Sequence, residues 1–456
     1  MGRQAERLHT VGVVPVSTER NLRVAVLADS DTRWKWGALT AHRLAPELHL
    51  TGFLLRGRAT PTARQLGEVG VKADRLSEVT STEFLQEIRN EQYDVVVLAL
   101  VGGAAQAMLH GLRRLWPTPA ARPVLVTGYV GVVYEKLADG LLLRHGADLV
   151  LANSRHDAER FRAVYEGVGA DAGSVVETAL PFLGGAPYEE RPGGTETVVF
   201  AAQPSVPESR ADRTYLLRRA VEHARLHPLR EVLIKLRSKP GEHTTHLEEL
   251  PYQRIADRIP GGLPANCRLV YGHMGEVLDR TDLLVTVSST AALESLHRGI
   301  PTALLTDLGV REALGNHHFL GSGCLASWDE LDEGHRPQAD PEWLARQGVA
   351  AGGSYGDIYA SAFDAARKRI AELTEQRELP PLTPYYTLAT APGYLPGILA
   401  RHHLGPDGAP LPGAAPTAQA SGVRRWVRSA LRDAARGAYR HGVQRVAPVI
   451  RRMGEL

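Results

Sequence analysis

Cysteine is nearly absent from this chain of 456 residues. Cys267 and Cys324 stand far apart and show no metal-ligand spacing, which excludes a disulfide framework and a cysteine-based zinc site. A reducing, cytoplasmic setting fits that usage. No run of about 18 apolar residues occurs, so no membrane-spanning helix is expected. Met1 to Arg20 mixes charged and polar residues, and no secretory leader is expected there. A large net charge is also lacking: the formal sum is +2.

That sum hides an asymmetry. From Ser421 onward 9 Arg face only Asp433 and Glu455, a local +7, while the rest of the chain carries 44 basic and 49 acidic residues, or −5. A mildly acidic body argues against nucleic-acid binding and places any polyanion contact at the tail. With 43% hydrophobic residues, the length suits two cores rather than one.

Apolar strand-like runs alternate with helical stretches almost throughout, the pattern of doubly wound α/β units with parallel sheets covered on both faces. Strands are predicted at Leu22 to Leu27, His49 to Leu55, Tyr93 to Leu100, Pro123 to Thr127, Ala147 to Ala152 and Ser174 to Thr178. A second set follows at Thr197 to Ala201, Glu231 to Leu236, Arg268 to Tyr271, Leu283 to Val287 and Thr302 to Leu305. Helices are predicted at Arg33 to Leu44, Thr82 to Gln92, Ala104 to Leu115, Ala211 to Arg225 and Ser289 to Arg298, with an amphipathic one over Asp357 to Leu373. The Gly- and Pro-rich stretch between the two sets reads as a linker. The expected organisation is an extension over 1–21, a first domain over 22–183 and a linker over 184–196. A second domain with closing helices covers 197–404, followed by a flexible linker over 405–422 and a basic amphipathic tail over 423–456. In the tail Arg428, Arg432, Arg436 and Arg440 repeat every four residues, with Trp426 and Tyr439 among the apolar positions. It reads as a solvated helix, a contact for a polyanion, or an anchor on an anionic membrane surface through residues 423–453.

In open α/β sheets ligands bind beyond the carboxyl ends of the strands, so polar residues just after strands are site candidates. Ser288-Ser289-Thr290-Ala291-Ala292-Leu293-Glu294 joins a strand to a helix. Its hydroxyls and first-turn N–H groups are expected to point outward together, as a phosphate cradle or simply as a helix cap. Gln203 follows the first strand of the second set. Lys235 and Arg237 alternate at a strand end and point the same way, either as a diphosphate clamp or in an ion pair with Glu242. Glu294, one turn into its helix, could accept hydrogen bonds from a ribose. His273, in a Gly-His-Met-Gly loop, could edge a nucleotide base. Asp29-Ser30-Asp31 ends the first strand; either aspartate is a candidate general base, or the group caps the next helix. An Asp-x-Asp can also hold a divalent metal, but no other residues suggest a metal shell.

The Ser288 to Glu294 motif followed by Gly299-Ile300-Pro301, set in a two-domain alternation, resembles the GT-B glycosyltransferases. The likeness is nearest to surface-polysaccharide transferases of the polysialyltransferase and CDP-glycerol glycerophosphotransferase groups, and to uncharacterised actinobacterial proteins assigned to the glycosyltransferases. The resemblance implies two Rossmann-like domains facing a cleft, the acceptor bound by the first and a nucleotide donor by the second. It implies Ser288, Ser289 and Thr290 at the donor phosphates and Glu294 at the ribose. Lys235 and Arg237 stand where those groups carry a His-Pro pair; here His227-Pro228 precedes the strand. A retaining-type pair of glutamates eight apart is missing because Thr286 holds the earlier position, which tilts the expectation to inversion.

The expected function is transfer of a sugar from a nucleotide-activated donor to a hydroxyl of a cell-surface glycan or its lipid-linked precursor. No obligatory metal is expected. A sugar-nucleotide 2-epimerase, or a non-catalytic scaffold of a polysaccharide assembly complex, is the alternative.

Overall fold

A computed structural model describes residues 21–57, 59–131, 136–191, 193–239, 250–349 and 356–412. The N-terminal extension and the basic tail lie outside the described residues, as do Glu242 and most of the 405–422 linker. Runs such as Val95–Ala99 (VVVLA) are apolar on both faces, and both faces are covered, as a parallel sheet requires. The first sheet contains β1 (Leu22–Ala28), β2 (Leu48–Leu55), β3 (Arg75–Val79), β4 (Val95–Ala99), β5 (Val124–Gly128), β6 (Leu149–Ala152) and β7 (Val175–Glu177). Its order is β3-β2-β1-β4-β5-β6-β7, with every pair parallel. The second contains β8 (Thr197–Ala201), β9 (Glu231–Lys235), β10 (Cys267–Val270), β11 (Leu283–Thr286), β12 (Thr302–Leu305) and β13 (Leu325–Ala326). Its order, β10-β9-β8-β11-β12-β13, repeats the pattern, again all parallel. Each sheet therefore reverses direction once, between β1 and β4 and between β8 and β11, and at each reversal a crevice opens at the strands' carboxyl ends.

β3 and β13 are not predicted. β3 exposes most of its side chains, and β13 has only two residues, so neither leaves an apolar run to read. Trp34 and Trp36 are core residues: both indoles are fully buried, and glycines make room for them. A Cβ on Gly52 would stand 2.6 Å from Trp34, and one on Gly128 would stand 2.8 Å from Trp36.

The closing helices require a correction. The single helix predicted over Asp357 to Leu373 is two, Gly356–Ser361 and Asp364–Thr374. Tyr359 and Phe363 pack with Leu293 and Phe319 of the second domain, while Ala366, Ile370 and Leu373 join the core of the first sheet, on a helix that packs against β5, β7 and the helix Asp31–Leu44. The helix breaks where the chain leaves one core for the other. Leu395, Ile398, Leu399 and Leu404 then complete the core of the first sheet, so the segment from 364 to 404 belongs with the first domain.

Candidate active site

At the reversal point of the first sheet, Asp29 joins the two central strands. One carboxylate oxygen accepts the Val101 N–H beyond β4 at 2.9 Å, and the other accepts Arg33 Nη1 at 2.9 Å. Gln203 plays the same part in the second sheet. Its Nε2 donates to Ser288 Oγ at 3.2 Å and its Oε1 accepts the Ser288 N–H at 2.9 Å, tying the end of β8 to the end of β11. Both residues are held by protein on two sides.

The hydroxyl turn also differs from expectation. Ser288 is buried and donates its hydroxyl to Leu314 O at 2.6 Å, and Ser289 Oγ accepts the Ala291 N–H at 3.2 Å. Thr290, at the helix start, makes no side-chain capping bond. A Cβ on Gly131 in the first domain would lie 3.2 Å from Thr290 Oγ1. Of the three hydroxyls, Thr290's is thus the one turned toward the opposite domain. Pattern-reading cannot show this, because a serine in a turn can bond inward or outward with equal ease.

One face of the helix Asp31–Leu44, whose Ser30 N-cap accepts the Arg33 N–H at 3.4 Å, also meets the second domain. Residues four apart on a helix share a face. Asp31 Oδ1 accepts Arg237 Nη2 at 2.7 Å, with the two side chains 15% and 29% exposed. One turn on, Lys35 Nζ pairs with Glu294 Oε2 at 3.5 Å and lies 4.7 Å from the Phe182 ring centre. Further along, Leu39 and Arg43 line a cavity of about 760 Å³, together with His273, Glu294 and Arg298 of the second domain. That volume lies in the roughly 300–1,000 Å³ range of small-molecule sites. Lys35 and Glu294 belong to its lining, whereas Asp31, Lys235, Arg237 and the Ser288 turn do not; the Asp31–Arg237 pair forms the next rung, beside the cavity.

Lys235 is buried, with Nζ donating to Leu236 O at 2.8 Å. Burial pushes its ammonium down to about 8, a shift opposed by Glu68 and Glu294 and assisted by Arg237 and Arg64. The structure therefore sets His273 and Glu294 in the cavity lining, pairs Arg237 with Asp31 beside it, buries Lys235 within electrostatic reach of Arg237 and Glu294, and withdraws Ser288 and Gln203 into the wall. Lys35, Arg43 and Arg298 are not anticipated from the sequence. The spacing of Lys35, Leu39 and Arg43 on the helix predicted over Arg33 to Leu44, with Asp31 one turn before Lys35, is the signal that could have found the first two.

Arg298 is a further structural arginine. Its guanidinium donates to Gly184 O at 2.8 Å and Gly275 O at 3.2 Å and pairs with Asp279 at 2.6 Å, fastening the inter-sheet segment to the cleft wall. Arg298→Ala is expected to cost about 2–3 kcal/mol, since two carbonyls lose a charged donor. Urea unfolding checks this, and an unchanged midpoint contradicts it.

One group among the described residues has metal-binding composition: His223, His227 and Asp332. It shares no residue with the cleft lining. Asp332 already accepts His223 Nδ1 at 2.6 Å and Arg219 Nη2 at 2.8 Å, while Arg230 Nη1 stands 3.2 Å from His223 Nε2.

A family model described as "Putative glycosyltransferase (DUF6716)" matches residues 24–364. No curated protein matches the chain. Among solved structures, S. aureus MnaA with UDP is 14% identical, with a TM-score of 0.50 over 79% of this chain and 100% of that one. UDP-GlcNAc 2-epimerase from Neisseria meningitidis bound to UDP-GlcNAc is 12% identical, with a TM-score of 0.47 over 77% and 99%. The spinosyn rhamnosyltransferase SpnG is 13% identical, with a TM-score of 0.40 over 77% and 96%. At these identities the likeness concerns the fold alone. The architecture is GT-B: two Rossmann-like parallel-sheet domains.

Proposed function

The chain belongs to that glycosyltransferase family, DUF6716, and from this premise we propose that it moves a sugar from a nucleotide-activated donor to an acceptor hydroxyl in the cleft. The observation that carries the reading is the Asp31–Arg237 pair across the two domains at 2.7 Å: a candidate base and a candidate phosphate ligand hold each other. A donor diphosphate is a stronger partner for a guanidinium than one carboxylate, because it offers more oxygens and more charge. Donor binding draws Arg237 away and frees Asp31. The acceptor oxygen then attacks the anomeric carbon, its proton passes to Asp31, and the bond from that carbon to the diphosphate oxygen breaks. Arg237 and Lys235 stabilise the charge that develops on the leaving nucleotide.

Attack from the side opposite the leaving group inverts the anomeric centre. In the same reading Glu294 turns from Lys35 to the ribose hydroxyls, His273 lies beside the base, and Thr290 reaches a phosphate. The two cations supply the positive charge, so turnover is proposed to need no metal. The acceptor is proposed to be a surface glycan or its lipid-linked precursor, on the resemblance of the Ser288 to Glu294 motif.

Titration with UDP, GDP, CMP and CDP, followed by assay of nucleotide release with and without acceptor glycans, tests the reading. Binding of none of the four favours a scaffold, and turnover of free sugar nucleotide without acceptor favours an epimerase.

Lys235 adds a pH signature. With its ammonium at about 8 in the free protein, a bound diphosphate must favour the charged form. Affinity is expected to be level below about pH 8 and to fall as the pH rises further, by up to about tenfold per unit. Lys235→Met should bind more weakly and lose that slope. Calorimetry across the range decides it, and a slope that persists in the variant rules Lys235 out.

A further inference from the structure

We propose a second anion site, separate from the cleft, on the outer face of the second domain, where four arginines surround a cavity of about 250 Å³. Arg210 and Arg218 come from the helix Arg210–Leu226, and Arg254 and Arg258 from the helix Tyr252–Ala256 and the turn after it. Buried Ile255 and Ile259 form its apolar floor. None of these residues lines the cleft.

Two other arginines of the same long helix are held by protein groups. Arg213 is buried and donates to the carbonyls of Leu250, Gln203, Pro204 and Pro207. Arg219 pairs with Asp329 at 2.7 Å and Asp332 at 2.8 Å. Among the described residues no carboxylate pairs with Arg210, Arg218, Arg254 or Arg258, and none lines the cavity. All four side chains are exposed, so water screens their mutual repulsion in part, and an anion seated among them would relieve the remainder. Guanidinium forks match phosphate oxygens in pairs.

The volume is below the range of pockets that hold a whole nucleotide sugar. It suits a phosphate or diphosphate group, either free in solution or at the end of a lipid headgroup. The two sources share this chemistry, and one experiment separates them.

The full-length protein is compared with Arg218→Gln/Arg254→Gln and with Arg369→Gln/Arg377→Gln, a control pair that removes the same charge from an exposed region elsewhere. Inorganic pyrophosphate is titrated in one arm; vesicles of phosphatidylglycerol, against phosphatidylcholine alone, are sedimented in the other. Pyrophosphate is expected to slow amide exchange at Tyr252–Ala256 in the native protein. In the pocket variant that protection disappears and affinity at this site falls at least tenfold, while the control pair behaves as native. Pocket-dependent binding of vesicles but not pyrophosphate assigns the anion to a lipid headgroup. If the pocket and control variants match in both arms, the site does not exist.

Discussion

Arg237→Ala is expected to lower kcat/KM about 100- to 1,000-fold, the loss that follows removal of one charged donor from a developing leaving-group charge. Affinity for the nucleoside diphosphate product should fall with it, because the same guanidinium holds the bound phosphates. Arg237→Lys should recover part of the affinity, since a point charge keeps the attraction but loses the fork. The prediction rests on position: Arg237 follows the end of β9 and reaches Asp31, 206 positions away in sequence. It also contacts Thr32 Oγ1, so among the described residues its side-chain partners are first-domain groups that a donor would replace. A kcat/KM within threefold of native, measured as nucleotide release with acceptor present, removes Arg237 from the mechanism.

Asp31→Asn carries the second large effect and an unusual sign. If Asp31 is the base, kcat should fall about 10²- to 10⁴-fold. Nucleotide affinity should rise at the same time, because Arg237 no longer has to leave a carboxylate to meet a phosphate. A merely structural aspartate would not give both changes. Asp29→Asn provides the contrast. Both oxygens of Asp29 are occupied, by the Val101 N–H and by Arg33, so its loss should loosen the joint between β1 and β4 and lower stability with a smaller effect on kcat. Calorimetry and single-turnover rates on the two variants decide the assignment. If Asp29→Asn abolishes turnover while Asp31→Asn keeps it, the roles are exchanged.

Much of the fold is legible in the chain because strands such as Val95–Ala99 and Thr302–Leu305 are apolar on both faces, and few other structures tolerate such runs. The site is legible as a set of addresses rather than as an arrangement. Asp31, Arg237, His273 and Glu294 all follow strand ends or open helices, and all reach the meeting of the two domains. Ser288 and Gln203 satisfy the same rule and turn inward to each other. The rule identifies where a side chain starts; the hydrogen-bonding needs of the turn decide where it ends.

By itself, then, the sequence determined two parallel α/β units and the strand ends that bear polar groups, because these depend on local periodicity. The tertiary structure decided the rest. It sent residues 364–404 back to the first domain, where the hydrophobic side chains of that segment complete an otherwise open core. It paired Asp31 with Arg237 and Lys35 with Glu294, and it brought four arginines, with no carboxylate partner among the described residues, around one hollow. Pairings between distant residues carry no local signature, since charge acts through space and the chain specifies that space only once it has folded.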